Sequence, residues 1–236
     1  MPRSGLSTAI GDYLKAIWTV GQGGRASTSA LAERLSVSAS SVSGMLARLQ
    51  AQGWVTYERY RGAALTERGT AEALRLLRRH RLIETFLIEY LGYAWDEVHE
   101  EAEALEHAIS DRFTERLADR LGHPTHDPHG DPIPTHAGGL PRTPDVALDD
   151  LEEGAVLTVA RLRTQDPTLL AHLDELRIRP GQVVTVTRCA PPAGVVYVRV
   201  EDEDVVVSRE VAAVVRGAVG ERGASGEGGV LGKGGA

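Results

Sequence analysis

The sequence has one cysteine, Cys189, in 236 residues. A disulfide scaffold, a four-cysteine zinc site and a cysteine-held iron–sulfur cluster are therefore excluded. Long hydrophobic runs are missing too. Nothing approaches the ~18 consecutive apolar residues a membrane-spanning helix needs, so no membrane partner is expected. Behind the opening Met-Pro-Arg-Ser-Gly there is no apolar segment of the kind a secretory signal carries, which points to a cytoplasmic protein. Neither standard type of glycine-rich phosphate loop occurs. Aromatic residues make up only 5%, and Trp18, Trp54 and Trp95 read as packing residues rather than stacking platforms. What remains is an ordinary globular composition, 42% apolar and 25% charged, in a length that suits one or two domains.

Positive charge is scarce on average, with a formal net charge of −7, but it is unevenly spread. Residues 1–80 hold 11 Lys+Arg against 5 Asp+Glu, whereas residues 81–236 hold 15 against 28. A basic first third on an acidic remainder suits a DNA reader fused to something else. Ile10, Leu14 and Ile17 recur at helical spacing, and Gly21, Gly23 and Gly24 end that helix. Ser27 or Thr28 can cap a second helix over 29–35, because a hydroxyl there accepts an orphan backbone N–H. After Ser36-Val37-Ser38 a third helix runs through Leu46, Leu49 and Gln50 to Gly53, and residues 54–66 read as strand, polar tip, strand. That order is a winged helix-turn-helix with residues 38–49 as the recognition helix. Ser38, Ser40, Ser41 and Ser43 at its start, Arg48 further along, and Arg59 and Arg61 at the wing tip are the expected DNA contacts. Such groups suit phosphates and carry little base information. Serine-rich helix starts and arginine-tipped hairpins also occur without DNA; element order and charge asymmetry together tip the reading.

The next block is helical, from Thr66 to about Leu91, stopped by Gly92, and then as one helix over 95–120. His80 and Glu84 lie four apart on one face of the first. His99, Glu103, Glu106 and His107 make a stripe on the second, where a helix normally spends Leu and Val. Matched His-plus-Glu stripes on neighbouring helices are how helical proteins hold metals. The competing reading is an acidic solvent face, since Glu97, Glu100 and Glu101 share the helix.

Residues 122–145 contain six prolines and four histidines, too much proline for a regular element, and read as a linker with scattered His123, His126, His129 and His136. Short alternating runs such as Val195-Val196-Tyr197-Val198-Arg199-Val200 then announce a small, curved β domain to about 216, interrupted by a helix over 167–175. Cys189 reads as a small strand residue. The last stretch, 217–236, holds nine glycines and is expected to be disordered.

Several segments carry a resemblance: Asp12-Tyr13-Leu14, residues 37–48, residues 57–62, Arg79-His80-Arg81-Leu82-Ile83-Glu84, residues 98–111, His129-Gly130-Asp131-Pro132-Ile133-Pro134, and Leu176-Arg177-Ile178-Arg179-Pro180-Gly181. In this order and spacing, over about residues 7–216, the chain resembles the diphtheria-toxin-repressor family of metal-dependent transcriptional repressors, and within it the manganese-responsive members. The resemblance implies a mainly α fold with β. It comprises a winged helix-turn-helix domain (1–75), a helical dimerisation and metal-binding domain (76–140), an SH3-like small β-barrel (141–216) after the Pro-rich linker, and a disordered tail (217–236). It implies a homodimer on a palindromic double-stranded operator, matching one two-fold axis with another, and repression of metal-uptake genes.

The family's primary metal site falls on Asp12, Glu103, Glu106 and His107. Its ancillary site falls on His80, Glu84 and His99, with Gln165 and Asp166 as candidates from the SH3-like domain, giving two metal sites per protomer. Iron-responsive relatives commonly carry Met where Asp12 stands and Cys where Glu103 stands. Carboxylates at both places suit the hard ion Mn²⁺, with Fe²⁺ the near alternative. Paired-metal relatives have Glu where this chain has Lys15, and an ammonium cannot ligate a cation, so separate primary and ancillary ions are expected. Two other classes stay in view: a helical metalloenzyme using the His/Glu cluster, for which no substrate pocket for a small molecule is marked, and a metal-independent winged-helix regulator.

Overall fold

Apolar side chains on one face of each helix decide the first elements. In the computed structural model, which describes residues 7–190 and 193–220, α1 (Thr8–Gly21) buries Ile10, Tyr13, Leu14 and Ile17 along one side. It stops where Gln22 and Gly23 take left-handed conformations. Ser27 caps α2 (Thr28–Arg34) by accepting from the Ala30 N–H, and Ser38 caps α3 (Ala39–Ala51) by accepting from the Ser41 N–H. Only Val42, Leu46 and Leu49 of α3 are buried, so its opposite face is left open. Strands β1 (Val55–Glu58) and β2 (Gly62–Leu65) pair in register from Val55↔Leu65 to Glu58↔Gly62 and form the wing. Ala26 and Ala63 exchange backbone hydrogen bonds of 2.8 and 2.9 Å, which staple the wing to the segment before α2. The close approach needs Gly62: at φ 83°, a Cβ there would stand 2.1 Å from the Ala26 carbonyl oxygen.

Thr66 caps α4 (Glu67–Leu91), whose 25 residues make a rod about 37 Å long. Its first turns pack on the α1–β2 core through Ala73, and its later turns supply Leu82, Ile83 and Leu87 to a second core with Val98, Ala102, Leu117 and Ile133. The expected helix over 95–120 is two helices, α5 (Val98–Glu106) and α6 (Asp111–Arg120). The cause is local: the Ser110 side chain accepts from the Phe113 N–H, and Asp111 sits in the first turn, so a new helix starts where the periodic reading ran straight on. The proline-rich stretch is irregular, as expected, but its middle is packed inward, with Asp127, His129 and Ile133 buried.

The chain divides into two units, Met1–Arg142 and Thr143–Ala236. In the second, β3 (Val146–Ala147), β4 (Val156–Leu162), β5 (Val183–Ala190), β6 (Val195–Val200), β7 (Glu203–Ser208) and β8 (Val215–Val219) form one antiparallel sheet ordered β3-β8-β4-β5-β6-β7. Leu157, Val159, Val184, Val186, Val196 and Val198 point to its buried face, which is the period-two pattern made physical. Between β4 and β5, α7 (Pro167–Glu175) begins with Asp166 accepting from the Leu169 N–H and Pro167 in its first turn. A short α8 (Arg209–Val214) precedes β8, which runs on to Val219; of the glycine-rich tail, residues 221–236 lie outside the described residues. Among the described residues no helix is long and apolar enough to cross a membrane.

Candidate metal centre

Helix α1 presents Asp12 and Lys15, three residues apart, on the side that meets α5. The end of α5 presents Glu103, Glu106 and, one residue past the helix, His107. One ligand atom each from Asp12, Glu103, Glu106 and His107 all lie within 4.8 Å of one another. His107 Nε2 is 2.8 Å from Asp12 Oδ1 and 3.3 Å from Glu106 Oε1. Gly11 makes room for the ring, since a Cβ there would come within 3.1 Å of His107 Cε1 and 2.9 Å of Leu76 Cδ1. The turn that carries Glu106 and His107 is held from α4: Arg79 donates to the Glu106 carbonyl at 3.3 Å and to Asp111 at 2.6 Å.

Glu106 is fully buried and uses both oxygens. Oε1 takes Lys15 and His107, while Oε2 lies 2.8 Å from His80 Nδ1. His80 Nε2 is 3.0 Å from Glu84 and 3.1 Å from His99 Nδ1, and His99 in turn is 3.2 Å from Glu84. His80, His99 and Glu103 form a second group of potential ligands. The expected primary and ancillary residues are therefore joined into one polar line through Glu106. Burial raises the Asp12 carboxyl above its ordinary value against the pull of His107. Burial alone would depress His80, but Glu84 and Glu106 carry its imidazole up to about 9. Glu84 is driven well below the carboxylate range, its burial outweighed by the His80 charge. Glu103 is lowered as well, its burial outweighed by Lys15.

The line continues to residues that the sequence reading placed in a linker. Glu84, Asp127 and His129, all buried, bring ligand atoms within 4.8 Å of one another. Asp127 Oδ1 accepts from the His129 and Asp131 backbone N–H groups, both at 2.9 Å. Burial, then Glu84 and Asp131, hold its carboxyl well above the ordinary value. Burial lowers His129, and its ring bonds the Trp95 backbone while Nε2 is buried with no hydrogen-bond partner. A neutral imidazole with one nitrogen anchored and the other unsatisfied is the form a metal ligand takes. The only sequence signal was the His129-Gly130-Asp131-Pro132 segment. Gln165 and Asp166 lie at the start of α7 in the second unit, where Asp166 is the helix cap and its N–H donates to Thr164 Oγ1 at 3.1 Å.

The donor sets consist of carboxylate oxygens and imidazole nitrogens, with no sulfur. They fit a divalent cation of the Mn²⁺–Fe²⁺ kind.

Around the start of α3, Ser38, Ser40 and Ser41 are exposed and Ser43 half-buried. The Ser38 hydroxyl lies 2.9 Å from that of Ser40 and 2.8 Å from that of Ser41, and Ser43 donates to the Ala39 carbonyl. Arg48 projects from the last turn of α3. At the wing tip Arg59 stacks on Tyr60, which is 91% exposed, and Arg61 pairs with Glu58 at 3.1 Å.

Residues 5–63 match the iron dependent repressor, N-terminal DNA binding domain; residues 66–135 match the iron dependent repressor, metal binding and dimerisation domain; residues 146–218 match the FeoA domain. The chain is 34% identical over 217 residues to the iron-dependent repressor IdeR of Mycobacterium tuberculosis (strain ATCC 25618 / H37Rv), covering 86% of this chain and 94% of that protein. A solved manganese-dependent transcriptional repressor in complex with manganese superposes with a TM-score of 0.82 at 40% identity, over 89% of this chain and 100% of that one. The manganese regulator SloR superposes with a TM-score of 0.74 at 33% identity, over 89% and 97%.

Proposed function

We propose that this chain, which belongs to the iron-dependent, diphtheria-toxin-repressor family of metal-dependent transcriptional repressors, takes Mn²⁺ as its co-repressor. The family acts on operator DNA and dimerises, and its members are repressors rather than enzymes, which sets the metalloenzyme reading aside. The observation that carries the proposal is Asp12 on α1 standing among Glu103, Glu106 and His107 of the α5 end. One donor comes from the helix that supports the DNA reader, the rest from the helical core behind it.

Asp12, Glu103, Glu106 and His107 would hold the primary ion, and His80, Glu84 and His99, with Asp127 and His129, would hold the ancillary one. A bound divalent ion supplies the positive charge that lets the primary carboxylates share one point. Asp12 and Glu103 as carboxylates, where a softer site would use sulfur, favour Mn²⁺ over Fe²⁺. Asp12 then ties the angle between α1 and α5 to ligand occupancy. Operator affinity follows the fraction of dimer whose two reading heads are correctly spaced. Coupling of about 1–3 kcal/mol, the usual range for an effector, makes a roughly 5–150-fold switch. On this proposal the exposed face of α3, with Ser38, Ser40, Ser41, Ser43 and Arg48, enters the major groove of a palindromic operator, and Arg59 and Arg61 reach the backbone beside it. The domain division into 1–75, 76–140, 141–216 and tail belongs to the same proposal, as does control of metal-uptake genes.

The test is operator binding by fluorescence anisotropy, with chelator and then with Mn²⁺ or Fe²⁺ restored under anaerobic conditions. Wild type loses binding with chelator and regains it when Mn²⁺ is restored; with each metal saturating, because raw affinity runs Mn²⁺ < Fe²⁺ at any such site, the Mn²⁺ form binds the operator at least as tightly as the Fe²⁺ form. Asp12→Ala stays dimeric and gains little from either metal. Equal Mn²⁺ stimulation of Asp12→Ala and wild type refutes the site; an Fe²⁺-saturated form that binds operator more tightly than the Mn²⁺-saturated form refutes the metal.

A further inference from the structure

Lys15 lies inside the candidate primary site, with 7% of its surface exposed. Lysine is almost never buried unless paired, and its partners here are two of the proposed ligands. Nζ stands 2.6 Å from Glu103 Oε1 and 2.8 Å from Glu106 Oε1. Glu106 has no solvent contact at all, and a buried carboxylate must be paired or protonated. Lys15 and Asp12 are one helical turn apart, so both reach the same point on α5 from α1.

We infer that Lys15 is the resident cation of this site: its ammonium holds Glu103 and Glu106 when metal is absent and must yield their oxygens to an incoming divalent ion. The inference rests on the assignment of Asp12, Glu103, Glu106 and His107 as ligands. Two consequences follow. First, Lys15 weakens metal binding, because the ion has to displace an ion pair already made and then share the pocket with a positive charge. Secondly, it joins α1 to Glu103 and Glu106 in the metal-free protein, beside the single Asp12–His107 contact of 2.8 Å, by a link that an incoming ion must replace, so the angle between the helices changes when the ion takes over. Lys15 is thus an affinity-setting residue. It keeps the site from filling until metal is plentiful.

Equilibrium dialysis and calorimetry with Mn²⁺ alone test this on the full chain, comparing wild type, Lys15→Met and Asp12→Ala. Lys15→Met removes the charge and keeps most of the stem. It is expected to bind Mn²⁺ at least ~10-fold more tightly at the tighter-responding site. It is also expected to melt at a lower temperature in chelator and to gain more from Mn²⁺ than wild type does. Lys15→Gln, which can still donate to one carboxylate, is expected in between. Folding of Lys15→Met only when Mn²⁺ is present supports the inference, since the ion then does what the ammonium did. Unchanged or weaker Mn²⁺ affinity in Lys15→Met and Lys15→Gln overturns it, as does a stability loss that Mn²⁺ leaves the same size. If Asp12→Ala keeps wild-type affinity, the ligand assignment has failed instead; weakened Asp12→Ala beside unchanged Lys15→Met fails the Lys15 inference alone.

Discussion

The metal-free protein should lose stability as the solution becomes basic, and His80 is the reason. Its ring is 4% exposed and wedged between Glu84 at 3.0 Å and Glu106 at 2.8 Å. Those carboxylates hold the imidazolium in its charged form up to about 9, against the ordinary 6.5. A folded value above the unfolded one means that the charged ring stabilises the fold fully below pH 6.5, and that this contribution drains away as pH rises through 9. The difference amounts to about 3 kcal/mol between those limits. Glu84 is the other end of the same pair and adds nothing further on the basic side. The assay is urea unfolding in chelator at pH 6.5, 8 and 9.5 for wild type and His80→Gln. Wild type should lose about 3 kcal/mol more than the variant across that range. With Mn²⁺ in excess the trend should invert, because a ring that ligates must first give up its proton, so metal binding strengthens with pH. An identical pH slope for wild type and His80→Gln in chelator would refute the reasoning.

Replacing Glu103 by Cys exchanges a hard oxygen for a soft sulfur, so activation of operator binding should shift from Mn²⁺ towards Fe²⁺, Co²⁺ and Zn²⁺; an unchanged metal order counts against the softness argument. Gly11→Ala adds a methyl 3.1 Å from His107 Cε1; titration should show weaker Mn²⁺ binding with the thermal midpoint within a few degrees of wild type, and unaltered binding would mean that the ring has room to move. Arg59→Ala and Arg61→Ala should each weaken operator and random DNA alike and reduce the salt slope of binding by roughly 1; loss confined to the operator would place these side chains on base edges instead.

Much of this site could be read before any coordinates because helices repeat. His80, Glu84, His99, Glu103 and Glu106 occupy faces that a 3.6-residue period lines up, whereas Asp12 came only with the family resemblance; α7, expected at 167–175, begins with an Asp166 cap and Pro167 in its first turn. The same periodic logic failed between His107 and Ser110. The acidic stripe continues through the break, while the stop is written only in a serine hydroxyl that starts the next helix. Asp127 and His129 were passed over for a different reason. A proline-rich segment has no period, so nothing local tells which of four histidines turns inward. That depends on Ile133 docking into the α4–α5–α6 core and carrying the loop with it. Lys15 stands between these cases. Its charge ruled out a ligand role from sequence, yet its contacts with Glu103 and Glu106 span 88 and 91 residues and only the fold supplies them.

The fully buried setting of Glu106 bears on what happens when the ion is lost. Small zinc-dependent domains collapse when their ion is stripped, because nothing else neutralises the ligands. Here an amine from one side and an imidazole from the other already satisfy the carboxylate. Loss of the divalent ion should therefore leave an intact, idle molecule instead of an unfolded one. Regulation could then resume as soon as the ion returns, without new protein being made.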